Sequence, residues 1–136
     1  AGPVARWIGS ARRTAIWGHV LAVATLAGLW LWPAQGLGLA VVLLGLIGLT
    51  GTNYALVMAH GRAFLPAHLV GRGVTLLNMV SIGGVGIMQF ASRPVFAAAS
   101  EGRAPAQAFS LLFLFFLVPM AFGLALYLLT PEAQDG

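Results

Sequence analysis

Apolar residues fill four long stretches of the sequence, and charged residues stand only between these stretches or at the chain ends. Each stretch is 19 to 23 residues long, or about 28 to 35 Å as an α-helix, which matches the roughly 30 Å hydrocarbon core of a bilayer. Membrane-spanning β-strands are shorter and alternate apolar with polar positions, which these stretches do not. The pattern predicts an all-α membrane protein with four transmembrane helices, over about 14–32, 37–59, 74–92 and 108–130.

Proline and glycine punctuate the predicted connections. Pro33 and Gly36 mark a very short first turn, and a second connection runs over 60–73. The third connection is predicted over 93–107, where Pro94 and Pro105 stand. All ten charged residues therefore lie outside the predicted spans.

Composition excludes the soluble classes of protein. Of the 136 residues, 60% are hydrophobic and 7% are charged, whereas a soluble domain carries about a quarter charged residues. The sequence pI of about 11.3 suggests nucleic acid at first sight. Ten charges in all are too few for a patch that follows phosphates. We therefore expect the lipid bilayer, and no nucleic acid, as a partner.

The arginines are distributed unequally between the two sides of the predicted bundle. Five lie before the first span or between the second and third, and two lie between the third and fourth. Because cytoplasmic loops carry the excess of positive charge, this bias predicts a multi-pass protein of the plasma (inner) membrane with both ends of the chain cytoplasmic. The five are Arg6, Arg12, Arg13, Arg62 and Arg72, and the two are Arg93 and Arg103.

The third span carries a stripe of polar residues along one helical face. Such a face is costly in lipid, so we expect this helix to lie inside a bundle and to line a polar pathway, with Asn78 and Gln89 in contact with a solute. The alternative is that the same groups only bond neighbouring helices together. The stripe consists of Thr75, Asn78, Ser81, Gln89 and Ser92. A second small-residue face on this span points away from Asn78, and we expect it to serve helix packing; it consists of Gly83, Gly84 and Gly86.

The second span combines a smooth face with two larger polar residues. Small residues from Gly38 to Ala59 recur at near-heptad spacing, which predicts close approach of a neighbouring helix. Beside them, Asn53 and Tyr54 are candidates for contact with a polar solute, with helix packing as the alternative for each. The first and fourth spans hold few polar residues, so we expect them to be the outer, lipid-facing helices.

Groups able to carry catalysis are absent from the predicted spans, which contain no Asp, Glu, Lys or Cys. We therefore predict no enzymatic activity and no catalytic residues. The spacing of the three histidines fits no metal site, and we expect no metal and no cofactor. His19 is a candidate for binding a proton within the membrane, with a packed or interfacial histidine as the alternative. His60 falls in the predicted second connection.

Two segments carry a family resemblance. The N-terminal segment is similar to the loop motif G-x-x-x-D-R-x-G-R-R of the major facilitator superfamily, with one inserted residue and Ala5 or a gap at the acidic position. The second connection resembles a later link of that family, P-x-x-x-x-G-R-x followed by a helix with a glycine pair. The matching residues are Gly2, Arg6, Gly9, Arg12 and Arg13 in the first segment, and Pro66, Gly71, Arg72, Gly83 and Gly84 in the second.

This resemblance implies that the four spans are helices nine to twelve of a twelve-helix transporter, of which the chain would be a C-terminal fragment. The family places helices nine and twelve outside, with ten and eleven near the central cavity. It moves a small solute by alternating access between two six-helix halves, so the remaining helices would be partners of this chain. The alternative is a self-contained four-helix membrane protein that serves as a structural or assembly subunit.

Overall fold

The structure, a computed structural model, describes residues 11–34, 36–51 and 53–131. Within these residues it is helical and contains no strand. The helices are α1 (Ala11–Leu31), α2 (Leu37–Thr50), α3 (Asn53–Ala63), α4 (Val70–Ser100) and α5 (Pro105–Leu128), with one turn of 3₁₀ helix at Ala67–Leu69.

Four regions of the described chain are helical, long and apolar enough to cross a membrane: α1, α2 together with α3, α4, and α5. The prediction of an all-α chain with four such helices is therefore confirmed. Below, α2 and α3 together are called the second span. At Gly51 its backbone is still close to helical, and the Gly51 amide donates to the Gly48 carbonyl at 3.1 Å.

The third connection is shorter than the sequence predicts. Helix α4 continues through Arg93 and Pro94 as far as Ser100 and α5 begins at Pro105, so the predicted loop over 93–107 is wrong for its first eight and last three residues. A helix of 31 residues is about 46 Å long, and its end can project beyond the hydrocarbon core, where an arginine costs little. The remaining turn contains Gly102 at a φ of 66°, a conformation that favours glycine.

Helix α1 is the central helix of the described chain. It packs against α5 most extensively and also against α2 and α3. It contributes five buried side chains at heptad-like spacing along one face, namely Ala15, Ala22, Thr25, Leu26 and Leu29. The prediction that the first span is a peripheral, lipid-facing helix is therefore wrong within this chain. A face that meets lipid and a face that meets protein are equally apolar, so composition did not distinguish them.

The second and third spans meet only at one end. Helix α3 packs against the first half of α4, whereas α2 makes no comparable contact with α4. Because successive helices run in opposite directions, the open end lies on the side of the Gly36 and Gly102 turns. No residue of α2 is buried, and Ala99 is the one buried residue of α4. Helix α2 is therefore not packed against the second half of α4, and the space between them is called the cleft below.

The small-residue faces predicted for close packing are uncovered. A side chain added at Gly38, Gly45 or Gly48 on the second span would meet nothing within 4 Å, and the same holds for Gly83, Gly84 and Gly86 on α4. The expected close helix contacts at these glycines are thus not made within the described chain.

Candidate functional site: polar pairs between the spans

Tyr54 and Asn78 join the second span to the third. Tyr54 stands in the first turn of α3, and its hydroxyl donates a hydrogen bond to Oδ1 of Asn78 on α4. Both side chains are exposed in the chain, with Tyr54 at 45%. Two residues named separately from the sequence therefore form one pair, at the point where the cleft between the two spans closes.

Asn53 faces a different helix from its neighbour Tyr54. It is buried, and its side-chain amide packs against Gly18 of α1 so closely that a Cβ at position 18 would collide with it. Adjacent residues on a helix differ in direction by about 100°, which explains why one side chain meets α4 and the other meets α1. Asn53 thus packs the second span on the first and does not face the cleft.

Gln89 lies on the same helix as Asn78 but far from it. Eleven residues of α-helix separate the two Cα atoms by about 16 Å. The Gln89 side chain is exposed on the half of α4 that faces α5 and the cleft end. The structure therefore does not bring Gln89 together with Tyr54 and Asn78.

The hydroxyl groups of the polar stripe bond to their own helix. Thr75 donates to the Gly71 carbonyl at 2.9 Å, Ser81 to the Leu77 carbonyl at 2.8 Å, and Ser92 to the Gln89 carbonyl at 2.7 Å. Such bonds let a hydroxyl exist in lipid without another partner. The side-chain amides of Asn78 and Gln89 differ from these hydroxyls, because their hydrogen bonds must be made to groups outside α4.

His19 has one ring nitrogen engaged. Its Nδ1 donates to the Ala15 carbonyl at 2.8 Å, and its ring stacks on that of Tyr127 with 6.0 Å between centroids. The side chain is half-buried within α1. Its proposed role in binding a proton stays a prediction.

His60, which is buried, pairs with the half-buried Tyr127, and sequence reasoning missed this pair. The predicted loop position of His60 is wrong, because α3 continues to Ala63 and buries the ring to 7% exposure. Its Nδ1 lies 2.8 Å from the Tyr127 hydroxyl of α5. Its Nε2 is buried without a hydrogen-bond partner among the described residues. The sequence feature that could have indicated this pair is Tyr127, the one tyrosine of the largely apolar predicted fourth span.

The residues of the two loop motifs have separate outcomes. Gly2, Arg6 and Gly9 lie outside the described residues. Arg12 and Arg13 belong to the first turn of α1, and Arg12 donates through Nε to the Thr130 carbonyl at 3.0 Å and through Nη2 to the Leu128 carbonyl at 2.9 Å. A cation there stabilises the carboxyl end of α5.

Gly71 and Arg72 lie in the first turn of α4, so their predicted position in a loop is wrong. The chain turns before these two residues, at Pro66. One turn of 3₁₀ helix follows Pro66 and leads into α4. A glycine can stand in a first helical turn at modest cost, since the first amides have no intrahelical partner in any case.

Polar chemistry at these pairs is limited to hydrogen bonding. Throughout residues 11–34, 36–51 and 53–131, no group of three or more His, Cys, Asp or Glu side chains is placed to hold a metal ion. Amide, phenol and imidazole groups can recognise a polar solute by donating and accepting hydrogen bonds.

Comparison with known proteins adds no assignment. No family model matches the chain, and neither the curated proteins nor the solved structures contain a match. The likeness to the major facilitator superfamily therefore rests on the two sequence segments alone.

Proposed function

We propose that the chain is the C-terminal segment of a secondary transporter of the major facilitator type, which moves a small polar solute across the plasma membrane by alternating access. Both ends of the segment would then be cytoplasmic. The proposal is carried by one observation: the Tyr54–Asn78 hydrogen bond joins the second and third spans on a face that no part of the described chain covers.

The shape of the helix packing supports a pathway beside this pair. The second and third spans contact each other through α3 and separate at α2, so a cleft leads from one side of the bundle towards Tyr54. With the orientation predicted from the arginine bias, that side is the outer side. A solute entering the cleft would meet the phenol and amide where the helices converge.

Uncovered polar groups on membrane helices support the existence of further helices. In lipid an exposed side-chain amide is costly, and such residues normally face a bundle interior or a water-filled cavity. Asn78 and Gln89 are both exposed in this chain. The remaining helices of a longer transporter would supply the opposite wall of the cavity.

Cysteine accessibility tests this proposal without knowledge of the solute. The chain contains no cysteine, so single cysteines can be placed in it one at a time. Because a water-soluble thiol reagent needs a hydrated thiolate, Asn78→Cys and Gln89→Cys should react in the full native polypeptide in membranes. Phe90→Cys is the matched control, since Phe90 follows Gln89 directly, is 85% exposed and lies off the stripe.

Reaction at positions 78 and 89 with none at position 90 is the expected result. If all three cysteines are equally inert, the stripe faces lipid or protein and the pathway is not there. Once a transported solute is known, Asn78→Leu and Gln89→Leu should impair uptake with expression retained.

A self-contained four-helix subunit is the second candidate. The same uncovered faces of α2 and α4 favour it, because an assembly partner could cover them as well as further helices of one chain could. The size of the native polypeptide separates the two candidates: about eight additional spans support the transporter, and none supports the subunit.

A further inference from the structure

A cavity lies where α3, α4 and the end of α5 meet. Its volume is about 350 Å³, near the lower end of the range of about 300 to 1,000 Å³ that small-molecule sites occupy. Most of the lining is apolar, including Phe64 and Leu77, and the polar side chains on it are His60, Ser81, Tyr127 and Thr130. A space of this size and polarity fits part of an amphipathic molecule.

The buried imidazole of His60 supplies an unused hydrogen-bonding group on this lining. The ring is 7% exposed, and Nε2 has no partner among the described residues. Buried polar atoms in proteins are nearly always bonded, so an orphan of this kind needs a partner other than the described residues. The Phe64 ring packs edge-on against His60 with 5.2 Å between the ring centroids and is itself half exposed, so it has room to turn away from the imidazole.

Two arginines lie beside the cavity. Arg12 binds the backbone carbonyl of Thr130, a lining residue, and Arg62 is exposed directly after the lining residue Gly61. The Tyr127 hydroxyl lies 2.8 Å from Nδ1 of His60 and is positioned to donate its proton to that nitrogen. With Nδ1 as the acceptor of this bond, Nε2 is the donor nitrogen of the ring and requires an acceptor of its own.

We propose that this cavity binds one acyl chain of an anionic phospholipid, whose ester carbonyl accepts a hydrogen bond from Nε2 of His60 after the Phe64 ring rotates. The headgroup lies among the arginines at the same end of the bundle, as basic sites between membrane helices bind anionic lipids. This site shares Ser81 with the polar stripe, but it uses neither Tyr54 nor Asn78, the pair that carries the proposed transport function.

Native mass spectrometry of the full native polypeptide tests the site, with phosphatidylglycerol and phosphatidylcholine as the two probes. We expect retention of phosphatidylglycerol at concentrations where phosphatidylcholine is lost. Ser81→Phe places a ring in the space for the acyl chain and should weaken retention about tenfold or more, the loss expected when about two methylene groups are no longer buried. Val80→Phe, at an exposed neighbouring position off the lining, is the control and should bind as the wild type does.

Two substitutions of His60 separate the role of Nε2 from folding. The amide of His60→Asn reaches the position of Nδ1 and can still bond to Tyr127, whereas the amide of His60→Gln reaches the position of Nε2. We expect His60→Gln to retain the lipid and His60→Asn to lose it. Equal retention of both lipids by the wild type, or equal binding by the Asn and Gln variants, would overturn the proposal, and neither outcome bears on transport.

Discussion

Helices α1 and α5 meet along their whole length, whereas the second and third spans meet at one end and part at the other. At one end of the α1–α5 contact Arg12 binds the last carbonyls of α5, and at the other Ser110 donates to the Trp30 carbonyl at 2.6 Å. Both regions contain small residues, alanines in the first and glycines in the second. Small residues therefore permit close packing, but a complementary partner face decides whether it occurs.

The largest expected effect is in the α1–α5 region, where Ala108→Leu should break the packing. Ala108 is 1% exposed near the start of α5. Extra methylene groups have no space there, so we expect a loss of about 3 kcal/mol in the free energy of unfolding, measured by reversible unfolding in detergent. Ala125→Leu, at an exposed position of the same helix, should cost little. Similar values for the two variants would show that the α1–α5 contact is loose.

An intermediate effect is expected where the second span packs on the first, at Gly18→Ala. The new methyl group collides with the buried amide of Asn53, which has little room to move. We expect a loss of about 1–2 kcal/mol in the free energy of unfolding. Asn53→Ala in the same chain should restore most of it.

Gly45→Ala is the matched control for that substitution, because a Cβ at position 45 meets nothing within 4 Å. It should leave stability unchanged or raise it slightly, since alanine favours a helix more than glycine does. A loss at Gly18→Ala that Asn53→Ala does not relieve would mean that Asn53 is not the neighbour that matters.

The smallest effect is expected at the end where the second and third spans converge. Tyr54→Phe removes the hydroxyl that bonds to Asn78, and hydrogen bonds between membrane helices contribute about 0.6 kcal/mol on average. A double-mutant cycle with Asn78→Leu should give a coupling of that size. A coupling several times larger would show that the second and third spans are held together at this end as firmly as α1 and α5 are.

Several features of the fold were predictable because they follow from the bilayer. Apolar length alone located the four helices, since a segment of about twenty apolar residues has few other stable places. Helix ends were less predictable. Arg93, Gly71 and Arg72 were assigned to connections because of their charge or flexibility, yet all three are helical. A charged residue must reach water. A residue in the part of a helix that projects from the membrane reaches water just as a loop residue does.

The candidate site was predictable only residue by residue. Asn53 and Tyr54 stood out equally, as polar neighbours in an apolar span, but one packs on Gly18 and the other bonds to Asn78. His60 and Tyr127 are 67 positions apart, and nothing near either residue in the chain points to the other. Polarity marks which side chains need a partner, and only the packing of the helices decides which partner each one meets.

The amino-acid sequence by itself thus determined the helical class, the number of helices that could span a membrane and the polar residues they carry. The hydrophobicity and length of each segment set the free energy of placing that segment in lipid, so they predict a membrane helix without reference to the rest of the chain. Tertiary structure alone decided that α1 is central, that α2 is not packed against the second half of α4, and that the buried Nε2 of His60 has no partner among the residues that the structure describes. These three features depend on which apolar helix faces fit one another. The faces have similar composition, so composition does not tell which of them pack together.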